Sequence, residues 1–171
     1  IAASGGALEM GTLIAAFYGD FQFWVTLISL GIQLFLVSRI FQMVGVRGAL
    51  LIHPIMVALG YGTLALAPLL GGFVPIFTLI RLIKIGENSV DYSLMNTTRQ
   101  ALFLPVDRDS KYDGKTAIDT FFWRCGDLIQ ALAIYVGLNH LHWDAPRFAL
   151  MILVLAFAWI AVAVAIGRGF S

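Results

Sequence analysis

Charged residues are scarce in this sequence of 171 residues, and the scarcity excludes whole classes of protein. Asp, Glu, Lys and Arg together make up 12% of the chain, while 60% of the residues are hydrophobic. A water-soluble domain ordinarily carries about 25% charged residues, and half that fraction cannot cover a surface that faces water. Soluble enzymes, nucleic-acid-binding proteins and disordered chains are therefore excluded.

Cysteine is almost absent as well, because Cys125 is the one cysteine in the chain. A single thiol excludes a disulfide framework and a metal site built from several cysteines. The net charge of +1 predicts no polyanionic partner such as nucleic acid. The chain begins with Ile1 and lacks the basic region and cleavage site of a secretory signal. We therefore expect a polytopic membrane protein that forms part of a longer chain.

Long apolar runs take up most of the sequence, and their lengths predict membrane-spanning helices. A helix needs about 20 mostly apolar residues to cross a hydrocarbon core of about 30 Å. The runs do not alternate polar and apolar residues as barrel strands would, so the class is an all-α bundle. Residues 1–20 are interpreted as the end of a missing span and a connecting segment. Residues 21–171 are predicted to form five transmembrane helices, at about 21–38, 48–70, 73–95, 116–138 and 148–166.

Basic residues between the predicted spans indicate the orientation of the chain. Seven of them fall on one side of the membrane and one, Arg147, falls on the other. Loops rich in Lys and Arg stay on the cytoplasmic side, so the C-terminus is predicted to be cytoplasmic. The seven residues are Arg39, Arg47, Arg99, Arg108, Lys111, Lys115 and Arg168.

The third and fourth predicted spans carry charges inside the membrane. Polar residues of the third span recur at intervals of three, four and three positions, which places them on one helical face. They are Arg81, Lys84, Asn88 and Asp91, with Glu87 beside them. The fourth span adds Asp119, Arg124 and Asp127. One charge at the bilayer centre costs about 2.5–3.5 kcal/mol, so these groups must face the bundle interior or a wet cavity.

These charges have a functional and a structural interpretation. The functional one is a solute or ion pathway, which is favoured for Arg81, Lys84 and Glu87. The structural one is a set of ion pairs that fix helix register or gate one end. It is favoured for Asp119, which matches a capping box at a helix start, while Asp91 fits both. The spans hold three cations against four carboxylates, so this chain alone does not form a cationic cage for a triphosphate.

His53, in the second predicted span, also allows two interpretations. It either titrates near neutral pH or is a hydrogen-bonded histidine near a helix end, and the second is favoured. No nucleophile–base pair or cluster of metal ligands stands out in the sequence. The sequence therefore predicts a protein that is not an enzyme, with no metal or cofactor.

The stretch from Asn88 to Asp127 carries a more specific pattern. It contains DYSL at residues 91–94, then Leu104-Pro105 followed by acidic and basic residues through Lys111, then KTAID at 115–119. This pattern resembles the bacterial and plastid ATP/ADP translocase family. Members of that family have a similar tyrosine-serine-leucine run, a similar LP element and a lysine-containing element that ends in ID. More loosely, the likeness covers the whole chain.

The resemblance implies a major-facilitator-like transporter of twelve helices in two halves, with this chain holding helices eight to twelve. The implied activity is exchange of ATP for ADP by alternating access, in a bacterial cytoplasmic (inner) membrane. Substrate anionic groups would contact Arg81, Lys84 and Arg124. Gating or coupling pairs would involve Glu87, Asp91, Asp119 and Asp127.

One position departs from the family pattern. Nucleotide exchangers of the family carry a lysine just after the glycine of the fourth span, whereas Asp127 follows Gly126 here. The substrate therefore stays open between a nucleotide and another anionic solute. The implied partners are that solute, the lipid bilayer and the missing N-terminal half. The alternative is a non-transporting membrane subunit of a larger complex that retains the transporter fold.

Overall fold

The computed structural model describes residues 2–70, 75–104, 112 and 114–169, with no side-chain description at 2–8, 70, 119 and 169. Every regular element in these ranges is helical, and they contain no strand. The predicted all-α class is therefore confirmed. The short connection between the second and third predicted spans, at 71–72, and the motif residues 105–111 lie outside the described residues.

Six α-helices follow one another in the described ranges. They are α1 (Ala2–Gly31), α2 (Val37–Leu66), α3 (Ile76–Val90), α4 (Asn96–Leu102), α5 (Trp123–Asn139) and α6 (Ala145–Gly169). Short turns of other helix types continue or precede them. These are π-helical at Ile32–Leu36, Asp91–Met95 and Ala117–Phe122, and 3₁₀-helical at Ala67–Leu70.

Three stretches of the described residues are long and apolar enough to cross a membrane. They are Glu9–Leu69, which contains the first two predicted spans, Gly114–Asn139 and Ala145–Arg168. The third predicted span is not among them, because Arg81, Lys84 and Glu87 interrupt its apolar sequence. The chain is thus a membrane protein by helix length and hydropathy, with one helix that lipid alone would not accommodate.

The first helix is longer than the first predicted span. α1 runs from Ala2 across residue 20 without a break and continues through the π-helical turn into α2. The glycines before residue 20 cost helix propensity of about 1 kcal/mol each. In lipid, however, a helix satisfies its own backbone and a broken chain does not. The boundaries of the spans within the membrane stay a prediction.

A sharp turn at Gly45 separates the two parts of α2. Gly45 has φ 65° and ψ −174°, a backbone conformation that only glycine adopts readily. The helical segments before and after it then pack on each other. Val37 and Ala49, from the two sides of the turn, share one buried cluster with Leu94. The loop predicted between the first two spans is therefore this tight glycine turn.

The main packing interface joins α2 to α6. Val57, Tyr61 and Leu64 of α2 are buried against α6. Small residues recur every seven positions on α6 and are buried there; they are Ala149, Ala156 and Ala163. Lipid tails are as apolar as leucine, so helices in membranes associate through close packing that small residues permit. The alanine stripe explains why these two helices lie together along their length.

The crossing of α1 and α3 is joined by polar contacts. Val25 of α1 and Ser89 of α3 are both fully buried. The Ser89 hydroxyl donates to the Ile85 carbonyl at 2.6 Å and lies 3.3 Å from the Val25 carbonyl. The Ser29 hydroxyl of α1 in turn donates to the Ser89 carbonyl at 3.3 Å. These contacts fix the position of α3, and with it the charges that α3 carries.

The helix α5 has fewer contacts with the rest of the described chain. Gly137, near its end, is its one buried residue in the range Trp123–Asn139. A Cβ atom at Gly137 would lie 2.6 Å from the Phe148 ring of α6, so the absence of a side chain lets the two helices meet. The remaining exposed apolar side chains of α5 are available to lipid or to another part of the protein.

Candidate functional site

A polar groove runs between α1 and the helical segment from α3 to α4. It consists of two hollows of about 560 Å³ and 500 Å³, which share Asn96, Thr97 and Gln100. One wall is a stripe of polar residues at intervals of three and four, formed by Thr26 and Ser29 of α1 and Gln33 of the π-helical turn that follows it. We call these two hollows the polar groove. Tyr92 and Ser93 line it on the opposite wall.

Both walls of the polar groove contain a π-helical turn, and the two turns contact each other. A π-helical turn inserts one residue into an α-helix and changes which side chains face a neighbour. Across the groove, the Gln33 amide donates to the Thr97 hydroxyl at 3.4 Å. The Thr97 hydroxyl in turn donates to the Ser93 carbonyl, four residues earlier in the same helical segment, at 2.9 Å. Neutral amides and hydroxyls are thereby held in fixed directions along the groove.

The polar groove does not suit a surface that faces lipid. Gln33, Asn96 and Gln100 are exposed, and unpaired amide groups in hydrocarbon cost several kcal/mol each. By contrast, the exposed residues of α6 are large and apolar, with Val154 and Phe157 among them. The groove therefore faces water or another part of the protein, while the outer side of α6 suits lipid.

One end of the polar groove is cationic. Arg99 and Lys115 line the smaller hollow, and none of its described lining residues is acidic. The Arg99 guanidinium lies 5.7 Å from the ring centroid of Trp123, at cation–π distance. Its Nη2 also donates to the Asn96 side chain at 3.4 Å. This end can attract an anionic group and offer it several donors.

The structure places Arg81 against α1. Its guanidinium donates to the Asp20 carboxylate and lies 5.6 Å from the ring centroid of Phe17. Asp20 precedes the first predicted span, and sequence reasoning assigned it no role. Each group compensates the charge of the other, as is usual for charges within membrane-spanning segments.

Lys84 and Glu87 form a second pair that faces α2. Their Nζ and Oε2 atoms are 2.9 Å apart. The Glu87 carboxylate also accepts a hydrogen bond of 3.1 Å from the Tyr61 hydroxyl, and Nζ lies 5.6 Å from the Tyr61 ring centroid. The predicted shared face of the third span is therefore divided, because Arg81 binds α1 while Lys84 and Glu87 contact α2.

A cavity of about 890 Å³ adjoins the Lys84–Glu87 pair and lies between α2, α3, α5 and α6. We call it the inner cavity. Gly126 and Gln130 line it from α5, and Trp159 lines it from α6. Its charged groups among the described lining residues are Lys84 and Glu87, which neutralise each other. The lining of the cavity is thus mainly apolar, with the Lys84–Glu87 ion pair on one side.

The remaining predicted site residues are less closely associated. Arg124 and Asp127 are exposed on α5, and neither lines the inner cavity or the polar groove in the described part of the chain. The side chain of Asp119 lies outside the described residues. Asp91 lies near His53, with Oδ1 at 3.8 Å from Nδ1.

The favoured interpretation of His53 is wrong. The histidine lies inside α2 rather than at its end, and within the described chain neither ring nitrogen has a hydrogen-bond partner.

Sequence reasoning missed the neutral residues of the polar groove. A signal for them is present, because Gln22, Thr26, Ser29 and Gln33 recur every three or four residues in an otherwise apolar run. That periodicity marks one face of a helix as polar. Attention to the charged third and fourth spans overlooked the amides and hydroxyls of the first span, which lipid also excludes.

The sequence of this chain is similar to those of known transport proteins. Residues 11–170 match the family model described as TLC ATP/ADP transporter. The chain is 24% identical to "ADP,ATP carrier protein 1" of Chlamydia pneumoniae over 170 residues, covering 90% of this chain and 33% of that protein. The protein of the same name from Chlamydia trachomatis serovar D is 24% identical over 181 residues, 91% of this chain and 33% of that protein.

A plant relative matches a shorter region. "ADP,ATP carrier protein 1, chloroplastic" of Arabidopsis thaliana is 32% identical over 84 residues, 47% of this chain and 13% of that protein. The chain spans about a third of the length of the chlamydial relatives. No solved structure matches it significantly.

Proposed function

Because the chain belongs to the TLC ATP/ADP transporter family, we propose that it forms the C-terminal half of a nucleotide antiporter in a bacterial cytoplasmic membrane. Under this proposal its five spans are helices eight to twelve of a twelve-helix, major-facilitator-like protein. Residues 1–20 are the end of a preceding span and a connection. The C-terminus is cytoplasmic, and the transporter exchanges ATP for ADP by alternating access.

The polar groove is the observation that carries this proposal. Its exposed amides and hydroxyls need a polar neighbour, and a water-filled pathway between two halves supplies one. Arg99 and Lys115 give one end of the groove a positive charge suited to phosphate groups. The groove thus forms one wall of the pathway, and the missing half forms the other.

The paired cations suit an exchanger. Arg81 forms an ion pair with the Asp20 carboxylate, and Lys84 forms one with the Glu87 carboxylate. An anionic substrate binds by displacing these carboxylates, and the pairs re-form when it leaves. The predicted third contact, Arg124, is exposed on α5 and has no ion pair within the described residues. The predicted gating residues Glu87, Asp91, Asp119 and Asp127 act by forming and breaking such pairs as the halves move.

Exchange assays on the full-length protein test the proposal. The protein is reconstituted in liposomes loaded with ADP, and uptake of labelled ATP, ADP and simpler anions is measured. Arg81→Gln removes a charge-assisted contact worth about 1.5–3 kcal/mol, which corresponds to an about 10- to 100-fold weaker apparent affinity. Arg147→Gln is the matched control, because Arg147 is exposed in the first turn of α6 and lies 3.9 Å from Asp144. It leaves exchange unchanged.

Two results would contradict the proposal. One is the absence of exchange for every anion tested, with the protein folded; this would favour the non-transporting membrane subunit. The other is equal loss of affinity in Arg81→Gln and Arg147→Gln, which would mean that Arg81 acts only through general charge or stability.

A further inference from the structure

His53 is a buried titratable group that the proposed exchange mechanism does not use. It is 4% exposed, and within the described chain neither Nδ1 nor Nε2 has a hydrogen-bond partner. Leaving a buried polar group unpaired costs about 1–3 kcal/mol, and folded proteins keep few such groups. We therefore expect the imidazole to gain a hydrogen-bond partner in another conformational or protonation state of the protein.

The nearest candidate partner is the Asp91 carboxylate. Its Oδ1 lies 3.8 Å from Nδ1, about 1 Å beyond a charge-assisted hydrogen bond. On the other side, the Trp159 ring of α6 meets the imidazole edge-to-face, with centroids 5.1 Å apart. The other charged groups that act on the imidazole are Glu87 and Lys84, which carry opposite signs and are paired with each other. Asp91 is therefore the unpaired charge that faces His53.

The helices on both sides of this contact depart from regular α-helical hydrogen bonding. Pro54 follows His53 within α2, and proline cannot donate the hydrogen bond that the helix directs to the preceding turn. Asp91 begins the π-helical turn Asp91–Met95, a helix type that is frequent at functional sites. A shift of about 1 Å at either place brings Nδ1 and the carboxylate into hydrogen-bond contact.

We propose that His53 is a proton-binding site that couples protonation to the approach of α2 and the α3–α4 segment. When Nδ1 binds a proton, the imidazolium donates to the Asp91 carboxylate and ties the two helices together. The ring stays in contact with Trp159 in both states, and when the proton leaves, the half-exposed carboxylate of Asp91 is released. Under this proposal, the exchanger binds a proton as well as its solute. Only the exchange-rate measurement below depends on the proposed transport function; the fluorescence measurement does not.

The proton site is tested first without transport. Tryptophan emission of the purified full-length protein is recorded between about pH 5 and pH 8, where histidine changes charge. A protonated imidazole in ring contact quenches tryptophan, so emission falls as the pH is lowered. The His53→Gln variant loses this change, and Trp159→Phe removes its reporter. His140→Gln is the matched control at an exposed histidine, and it keeps the wild-type titration.

Exchange rates give the second readout. The wild-type rate changes with pH by up to about tenfold per unit, the limit for one controlling proton. Both His53→Gln and Asp91→Asn flatten this profile, whereas His140→Gln does not. The proposal is overturned if His53→Gln, folded by circular dichroism and gel filtration, keeps either the wild-type fluorescence titration or the wild-type pH profile. An intact fluorescence titration without any exchange would support the proton site and contradict the proposed function.

Discussion

Ser89 determines how closely α1 and α3 approach each other. Its side chain is fully buried, and its hydroxyl lies between the Ile85 and Val25 carbonyls. A hydroxyl that donates to a carbonyl of its own helix needs no partner from outside, so it can sit in a dry interface. The same helix then holds Arg81 beside Asp20. A small buried residue thus positions a charged one.

Enlarging Ser89 tests this role. Ser89→Leu inserts apolar atoms into a filled contact, and overpacking of this kind costs about 1–3 kcal/mol of stability. Ser89→Ala is the matched control, because it keeps the space and loses one hydrogen bond that is worth about 0.5–1.5 kcal/mol. Unfolding of the purified protein in increasing SDS measures both. If Ser89→Leu proves as stable as Ser89→Ala, the α1–α3 contact is looser than described.

At the scale of helices, the Gly45 turn decides how the first two spans meet. The positive φ at this residue reverses the chain between two apolar helical segments, so Val37 and Ala49 pack against Leu94. The turn therefore aligns α2 with the segment that carries the polar groove. Without it, Tyr61 and His53 would not reach the side chains of α3.

Replacing Gly45 has a defined expected cost. Gly45→Ala forces a side chain into a backbone region that is essentially restricted to glycine, at about 1–3 kcal/mol. Gly31→Ala is the matched control, because Gly31 is helical with φ −60° and has open space around it. Alanine there stabilises the helix by about 1 kcal/mol. SDS unfolding measures both changes, and equal effects would contradict the assigned role of the turn.

The sequence predicts helices better than it predicts the pairs between them. Apolar run length predicts the helical class, because it is a property of single segments; the orientation inferred from the charge positions stays a prediction. The pairs Arg81–Asp20 and Lys84–Tyr61 depend instead on which helices become neighbours. Helical periodicity predicts which face of its own helix a residue occupies, but it does not predict which residue of a neighbouring helix it contacts. Only the polar stripe of α1 was within reach of sequence reasoning and went unnoticed.

On the scale of the whole molecule, the chain presents two kinds of surface. The outer side of α6 is apolar, as lipid requires, while the polar groove carries exposed amides, hydroxyls and two cations. A membrane protein with one polar side uses it for contact with water or with another protein segment. The chain covers about a third of its chlamydial relatives, and under the proposed function the opposite wall belongs to the rest of the protein.

The accessibility of single cysteines tests most directly whether the polar groove lines the pathway. Cys125, the one cysteine of this chain, is replaced by serine together with every cysteine in the rest of the full-length protein, and cysteine is introduced at Gln33 or Gln100. Val154→Cys is the control, because Val154 is 68% exposed on the apolar side of α6. A charged, membrane-impermeant thiol reagent reacts with thiolates in water, and an apolar surrounding suppresses the thiolate.

Cysteines at Gln33 and Gln100 are expected to react at least about tenfold faster than the one at Val154, which corresponds to a pKa difference of about one unit. Added ADP or ATP slows the two groove reactions and leaves the control unchanged. Equal reaction rates at all three positions, or groove cysteines that the reagent cannot reach in any state, would contradict the assignment of the groove to a solute pathway.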